Sequence, residues 1–395
     1  MLYVLLDLCR NWLSEHGSWV GERGYYSLFA ILDQIQFRTL AAAILSFAIM
    51  LVFGRRVIAM LMRLKIGDAG LSDAELLKRH AASRKNVPTM GGVLIAAAIL
   101  VATLLLADIR QFYIQAGLII FITFAGVGAA DDWLKLTASR RGSKSRQGLY
   151  AWEKLVFQLG VAALVAWFLY GHTNTPGSDL AHVLNLPAQK TWESPGNVSA
   201  SLIYLAPVAY VIFATLMIAG MSNAVNIADG MDGLVGGTAG IVSIGLVVLA
   251  LIAGSQTAAQ YLLVPHIPIA DELAVMAGAM AGACFGFLWW NCAPASVFMG
   301  DTGALALGAL VGYIAVITRQ ELVTIAMCGI FVIEAASVML QVGYFKATGG
   351  KRIFKIAPYH HHLHMSDWTE QQVVARFWIV TVLLLALALA TLKIR

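Results

Sequence analysis

The polar side chains that interrupt this apolar sequence are of the types that bind phosphate and divalent cations. The first group is the pair Asp131 and Asp132, followed by Lys135. Two adjacent carboxylates at the edge of an apolar run are costly unless they meet a cation or a proton. They are therefore candidates for orienting Mg²⁺ or for accepting a proton from a nucleophile. A solvated helix end is the alternative, which the negative C-terminal end of a helix disfavours.

A second group of polar residues repeats with a spacing of three. Its members are Asn223, Asn226, Asp229 and Asp232. With 3.6 residues per helical turn, steps of three drift slowly around one face, so these amides and carboxylates form one patch. Gly230 and Gly233 let a ligand approach the backbone closely. A plain turn would also use Asn, Asp and Gly, but it does not need four regularly spaced polar groups.

Asp301 lies in the sequence FMGDTG at residues 298–303, and Asn291 precedes it by ten residues. We expect Asp301 at the start of a helix, where an anion is electrostatically favoured. Taken alone, it would be only an N-cap. Beside the other acidic groups it becomes a candidate Mg²⁺ ligand, because Mg²⁺ binds one or two carboxylates together with substrate phosphates.

Three adjacent histidines, His360, His361 and His362, follow near the C-terminus. A zinc site is disfavoured, because neighbouring side chains in a regular element do not converge on one ion and no cysteine lies near. Imidazoles that contact phosphate or a carboxylate are favoured, and a polar loop with chance histidines is the alternative. Glu334 is predicted near the middle of the membrane, facing other helices as a structural partner or a functional group.

Basic and small residues combine between Arg84 and Gly92, where Thr89 precedes a glycine pair. This composition suits phosphate contact. It equally suits a segment beside the membrane, where Lys and Arg set the topology or meet anionic lipid.

The elements that must carry these groups are membrane-spanning helices. Of the 395 residues, 59% are hydrophobic and 12% are charged, against roughly 25% charged in a soluble domain. Disorder is excluded, since it requires low hydrophobicity and high net charge. The net charge of +5 is modest and implies no nucleic-acid partner. The four cysteines are scattered and fit neither a zinc site nor a disulfide framework.

Ten apolar stretches have the length of about 20 residues that a helix needs to cross a bilayer core of ~30 Å. Only helices fit there, because unpaired backbone groups cannot face lipid. The predicted stretches are 38–55, 91–108, 112–130, 152–170, 201–220, 234–253, 273–290, 303–318, 321–345 and 376–394. We therefore predict an all-α, polytopic membrane protein, with residues 1–30 as an amphipathic surface segment and 31–395 as a single ten-helix transmembrane domain.

The basic residues predict the orientation. Of the 27 Lys and Arg, 17 lie in the loops 55–90, 131–150 and 346–375, and loops rich in Lys and Arg stay in the cytoplasm. Both termini then face outward. The acidic loops 221–233 and 291–302 fall on the same face as the basic loops, which predicts an active site on the cytoplasmic face. A surface with both cations and carboxylates suits a polyanion that is bound together with a metal.

Five motifs occur in order along the chain: PTMGG at 88–92, DDWLK at 131–135, NAVNIADGMDGL at 223–234, FMGDTG at 298–303 and HHH at 360–362. Together they closely resemble the polyprenyl-phosphate N-acetylhexosamine-1-phosphate transferases, and PTMGG and HHH resemble the phospho-N-acetylmuramoyl-pentapeptide transferase branch. The resemblance covers essentially the whole chain beyond the N-terminal segment. It implies Mg²⁺-dependent transfer of phospho-MurNAc-pentapeptide from UDP-MurNAc-pentapeptide to undecaprenyl phosphate, giving lipid I and UMP for peptidoglycan synthesis. It also implies a homodimer in the bacterial inner membrane.

The resemblance also implies roles for single residues. Asp301 is the implied Mg²⁺ ligand, and Asp131 and Asp132 are the pair that deprotonates or positions the lipid phosphate. Asp229 is a further catalytic carboxylate, and His360 and His361 complete the catalytic set. The implied substrate-binding residues are Arg84, Thr89, Lys135, Lys154, Asn223, Asn226, Gly230, Met231, Asp232, Asn291, Phe298, Gln341, Ala357 and His362. Which acid is the base or nucleophile, and whether transfer takes one step or two, stays open.

Three positions depart from the family's pattern. His364 stands where a Glu is common after the histidines, Gln147 where a Lys is common, and Arg84 where a Lys often meets the uridine. Two alternative functions stay open, a relative that uses UDP-GlcNAc and a secondary transporter with polar groups inside the membrane. Transporters, however, place their substrate sites near the membrane midplane, whereas nearly all the acids here are predicted at one surface.

Overall fold

The computed structural model of the chain describes residues 1–8, 31–63, 87–141, 148–173, 179–187, 189–192 and 201–393. Within these ranges the regular structure is helical, and the β-pairing is limited to one isolated bridge between Val183 and Tyr204. This confirms the prediction of an all-α protein. The predicted surface segment 1–30 is described only for its first eight residues, so its boundary stays a prediction.

Thirteen α-helices are assigned within the described ranges between residues 31 and 393. They are α1 (Ile35–Arg63), α2 (Gly92–Leu106), α3 (Phe112–Arg141), α4 (Ala151–Thr173), α5 (Pro207–Ala228), α6 (Leu234–Gly254), α7 (Gln256–Leu262), α8 (Leu273–Asn291), α9 (Asp301–Thr318), α10 (Glu321–Met327), α11 (Gly329–Ala347), α12 (Tyr359–His364) and α13 (Glu370–Thr391).

Nine of these helices, counted over the described residues, are long and apolar enough to cross a membrane. The chain is therefore a polytopic membrane protein, but the predicted set of ten spans is only partly right. The stretch 91–108 forms α2, which has 15 residues and reaches about 22 Å at 1.5 Å per residue, short of a ~30 Å core. The stretch 321–345 is broken at Cys328, between α10 and α11.

α9 is the central helix, with 94% of its residues buried, whereas α1, α4, α11 and α13 are only 28% buried over their apolar windows. Small residues allow its neighbours to approach closely. Gly308 and Gly312 of α9 lie against the backbone of α5, where an added Cβ would collide with Met221 and Met217. Such spacing of small residues is typical of close helix packing in membranes, and it holds α5 and α9 together beneath the polar motifs.

A buried ion pair joins three helices at the end of the bundle opposite to the polar motifs. Arg38, near the start of α1, donates to both carboxylate oxygens of Glu272, which precedes α8, at 2.9 and 2.5 Å. Arg38 also donates to the carbonyl of Leu106 at the end of α2, and the backbone N–H of Asp108 donates to Glu272. This end of the bundle is thus fixed independently of the end that carries the motifs.

Candidate active site

Chain direction brings the acidic motifs to one end of the bundle. α3 carries Asp131 and Asp132 in its last third, α5 ends at its C-cap Asp229, and α9 begins with Asp301. Because α3 and α5 both pack against α9, the motifs meet around the N-terminus of α9. Three segments that are far apart in the sequence therefore form one polar site.

Asp132 caps α9 from a neighbouring helix. Its carboxylate accepts hydrogen bonds from the backbone N–H groups of Asp301 and Thr302, at 3.1 and 3.0 Å, and from the Thr302 hydroxyl at 2.7 Å. The first N–H groups of a helix have no partner within it, and a carboxylate there is favoured by the helix dipole. Asp301 is accordingly the first residue of α9 and not its cap, while Asp132 supplies the cap and fixes α9 to α3.

Asp131 and Asp301 are bridged by two lysines. Lys154 lies 3.0 Å from Asp131 Oδ2 and 2.6 Å from Asp301 Oδ2. Lys135 lies 2.6 Å from Asp131 Oδ2 and 3.4 Å from Asp301 Oδ2. The second oxygen of each acid is also engaged, since Asp131 Oδ1 accepts from the N–H of Leu149 and Asp301 Oδ1 accepts from the amide of Asn226. The two lysines therefore hold the carboxylates in place and present positive charge beside them.

The chemistry of the carboxylates fits a divalent cation. Ligand oxygens of Asp131, Asp132 and Asp301 all lie within 4.8 Å of one another. With Asp229, four carboxylates face two ammonium groups, which leaves two negative charges when all six groups are ionised. Carboxylate oxygens are the ligands that Mg²⁺ takes from proteins. The residues present therefore fit the Mg²⁺ that the sequence predicts.

The surroundings of Asp229 raise its affinity for a proton. Burial first, and then repulsion from the carboxylates of Asp301 and Asp132, raise the pKa of Asp229 to about 7, against the lowering effect of a backbone hydrogen bond from Gly300. A carboxylate with a pKa near neutrality is suited to accept and release protons at physiological pH. The sequence predicted Asp229 as a site residue, but its elevated pKa comes from its burial and from carboxylates on other helices.

The segment 88–92 pairs with the segment 298–299 by backbone hydrogen bonds. The N–H of Phe298 donates to the carbonyl of Pro88 at 2.9 Å, and the N–H of Gly91 donates back to the carbonyl of Phe298 at 2.8 Å. This pairing places Thr89 beside Gly300 and leaves the ring of Phe298 half-buried. PTMGG and FMGDTG thus form one loop structure beside the acids. Arg84 lies outside the described residues.

Several predicted substrate-binding residues hold neighbouring loops. Asn291 is buried, its Oδ1 accepts from the N–H of Gly233, and its Nδ2 donates to the carbonyl of Val297. Asp232 accepts from the N–H of Ala295 at 3.0 Å. Met231 is 4% exposed and belongs to a separate apolar cluster with residues of α13. These three side chains fix the loops beside the acids, and Gly230, which lies next to them in the sequence, is partly buried.

The Asn223 amide lies on the same face of α5 as Asn226, one turn earlier. It donates to Gln158 of α4 at 2.6 Å and to the carbonyl of Ala219. The regular spacing of polar residues in α5 therefore does place the amides on one patch, and α4, which also carries Lys154, covers one side of it.

The histidine loop folds back onto the same region. Gln341 of α11 accepts from the N–H groups of Ile353 and Phe354, at 3.0 and 2.9 Å, which shapes the loop up to Ala357 and the start of α12. His362 Nδ1 accepts from the N–H of Lys355. His364 Nδ1–H donates to the carbonyl of Trp368, so the residue in the position of the family's Glu closes the loop on itself.

Two of the three histidines pack against each other next to Gly230. His360 is fully buried against Glu334, and its Nε2 lies against Gly230, while the ring of His361 packs beside it at a centroid distance of 4.2 Å. The metal-type cluster found among the described residues consists of Asp131, Asp132 and Asp301. Thr302 and Gln158 also belong to the site, through their hydrogen bonds to Asp132 and Asn223. Sequence reasoning missed both, although the position of Thr302 directly after Asp301 could have indicated it.

Comparison with known proteins identifies the family of the chain. The sequence profile of the family described as Glycosyl transferase family 4 matches residues 114–319. A protein of Thermodesulfovibrio yellowstonii is 44% identical over 371 residues, 94% of this chain and 97% of its own length. Proteins of Desulfotalea psychrophila and Psychrobacter cryohalolentis are 41% and 43% identical, over 93% and 96% of this chain and over 96% and 98% of their own lengths.

The chain is a helical membrane bundle with an acid–lysine cluster at one end, and its sequence matches the profile of glycosyl transferase family 4. It is therefore a membrane-embedded glycosyl transferase of that family. The three relatives carry one name, and the identity extends over nearly the whole of each chain. The chain belongs to the phospho-N-acetylmuramoyl-pentapeptide-transferase family. This membership confirms the resemblance in the sequence and sets the transporter alternative aside.

Proposed function

We propose that the chain transfers phospho-MurNAc-pentapeptide from UDP-MurNAc-pentapeptide to undecaprenyl phosphate, releasing UMP and forming lipid I for peptidoglycan synthesis. The observation that carries the proposal is the identity of 41–44% to proteins named for this transfer, over more than nine-tenths of the chain. The cluster around the start of α9 supports it, because a reaction between two anions needs positive charge at the point where they meet.

Different residues of the cluster bind the metal and stabilise the phosphates in this transfer. Asp301 and Asp131 would hold Mg²⁺, which neutralises charge on the diphosphate when bound. Lys135 and Lys154, already paired with these acids at 2.6–3.4 Å, stabilise the phosphates and the charge that moves onto the departing UMP. In the transfer, an oxygen of the lipid phosphate bonds to the phosphorus attached to MurNAc, and the bond from that phosphorus to the bridging oxygen of UMP breaks.

Asp229 is the best proton acceptor among the four acids. Both oxygens of Asp132 are used by the cap of α9, and those of Asp131 and Asp301 are engaged by lysines and amide groups. A pKa of about 7 matches Asp229 to a proton from the lipid phosphate. Asp131 and Asp132 then orient the reacting groups and do not remove the proton themselves.

The nucleotide occupies the rim beside this cluster. Phe298 stacks on the uracil in a pocket formed with Gly230, Met231 and Asp232, and the amides of α5 with Asn291 hold the sugar-phosphate region. Gln341, Ala357 and the three histidines close the pocket from the other side, and Thr89 and Arg84 complete it near the phosphates. The half-buried ring of Phe298 and the fold of the histidine loop toward Gly230 support this arrangement.

The site faces the cytoplasm of a bacterium, with both termini on the outer side of the inner membrane. In support, the three basic loops follow α1, α3 and α11, which all end at the end of the bundle that carries the site. The family resemblance further supports a homodimer as the assembled form.

Purified protein in detergent, with undecaprenyl phosphate and Mg²⁺, tests the function directly. UMP release and a lipid-linked product are expected with UDP-MurNAc-pentapeptide and not with UDP-GlcNAc. Asp301→Asn is expected to abolish most turnover in the same preparation. Transfer from UDP-GlcNAc alone would reassign the protein to a hexosamine-specific relative, and full turnover by the variant would remove Asp301 from the mechanism.

A further inference from the structure

We infer that Glu334 is a positioning residue for the transfer, which fixes the imidazole of His360 so that Nε2 faces the nucleotide sugar at Gly230. The inference rests on the function proposed above. It assigns a task to a buried acid that the sequence left undecided between structural pairing and function.

Two hydrogen bonds from one carboxylate fix His360. Glu334 Oε2 lies 2.9 Å from Nδ1 of the ring, and Glu334 Oε1 accepts from the backbone N–H of the same residue at 3.0 Å. Both side chains are completely buried. One hydrogen bond holds the backbone of His360 and the other holds its ring. The imidazole therefore cannot turn about the bond that joins it to Cβ without losing its hydrogen bond to Glu334.

The chemistry of the pair defines the other ring nitrogen. With the Glu334 carboxylate as the acceptor, Nδ1 is the donor, and Nε2 is the remaining polar atom of the ring. Among the described residues Nε2 has no hydrogen-bond partner although it is buried. It lies against the Cα of Gly230, where an added Cβ would collide with it.

A buried polar atom without a partner costs free energy. Its position beside Gly230, next to the acceptor Asp229, indicates that its partner arrives with the substrate. The polar oxygens of a nucleoside diphosphate sugar are the chemical class that would satisfy it. Gly230 is then required for its small size, because any side chain there would displace the ring.

Glu334→Gln is the sharpest test because it keeps the shape and removes one acceptor. The glutamine has one acceptor oxygen for two donors, so either one bond is lost or the ring takes the other tautomer, which reverses the role of Nε2. We expect kcat/KM to fall roughly tenfold to hundredfold, as for residues that orient a functional histidine. Glu321→Gln, which changes a buried acid paired with Arg319 at 2.8 Å on the opposite end of the bundle, is the matched control and is expected to keep wild-type kcat/KM per folded protein.

A double-mutant cycle separates positioning from a general loss of structure. If Glu334 acts through His360, the double variant E334Q/H360A is expected to have a kcat/KM less than about twofold below that of H360A alone. Losses that multiply, or wild-type kcat/KM in E334Q, would overturn the inference. If E334Q is not recovered folded, Glu334→Asp, which keeps two acceptors but withdraws them by one methylene, carries the same cycle with the same criteria. A wild-type protein that releases no UMP would reject the proposed function instead.

Discussion

Replacement of Asp132 by Asn is expected to destabilise the protein because Asp132 caps α9 from α3. The side chain is 4% exposed and accepts three hydrogen bonds at the start of α9. Asparagine keeps one acceptor oxygen and turns the other into an N–H₂ donor, which faces the N–H and hydroxyl of Thr302. The variant also removes the negative charge that compensates the helix dipole.

The magnitude follows from the bonds that are lost. A cap contributes about 1 kcal/mol, and a hydrogen bond to a charged group contributes about 1.5–3 kcal/mol. We therefore expect D132N to lose about 2–4 kcal/mol of the free energy of unfolding. Thr302→Val removes only the hydroxyl donor at 2.7 Å and is expected to lose about 1 kcal/mol.

Thermal unfolding in detergent, followed by tryptophan fluorescence, measures this ranking. Turnover at a range of Mg²⁺ concentrations is measured in parallel. D132N is expected to unfold several degrees below wild type while its Mg²⁺ requirement rises less than that of Asp301→Asn. A D132N protein with wild-type unfolding and a Mg²⁺ requirement as high as that of D301N would refute the capping argument and make Asp132 a direct metal ligand.

Three further outcomes are expected. Glu272→Gln leaves the buried Arg38 with one acceptor fewer and without its ion-pair partner, so we expect a loss of about 3–5 kcal/mol of stability, with unchanged kcat per folded protein. Unaltered unfolding would contradict the role of this ion pair. Because Asp229 must be deprotonated to accept a proton and its pKa is about 7, kcat/KM should fall about tenfold per pH unit below that value, and a flat profile to pH 5.5 would exclude Asp229 as acceptor. The same raised pKa makes folding less favourable as pH rises from about 4 through 7, a dependence that Asp229→Asn should remove in unfolding measurements. Chelation of Mg²⁺ should abolish UMP release, and turnover that persists in chelator would exclude a required metal.

The polar motifs could be predicted from the sequence because acids are rare in apolar helices. The three-residue spacing of Asn223 and Asn226 did place their side chains on one face of α5, whereas Asp229 and Asp232 follow the end of that helix. Asp301 did begin a helix. Their convergence with Asp131 also followed from the direction of the helices, once the apolar stretches were counted.

The long-range contacts of single residues and the exact helix lengths could not be predicted from the sequence. Asp132 caps a helix that begins 169 residues later, and no local spacing encodes such a contact. The shortness of α2 was hidden because apolar residues continue through Ala107 beyond its last helical residue. The pairing of Glu334 with His360 likewise depends on a loop that folds back across α11.

The double use of Asn291 bears on how mutational scans of this family are interpreted. Its amide forms hydrogen bonds to the backbones of both Gly233 and Val297, so replacing it by alanine would release two loops at once. Loss of growth in such a variant is therefore no proof that the amide touches substrate. A substitution at Asn291 therefore changes the shape of the site together with its chemistry, and the two effects must be separated by measuring folding and turnover in the same preparation.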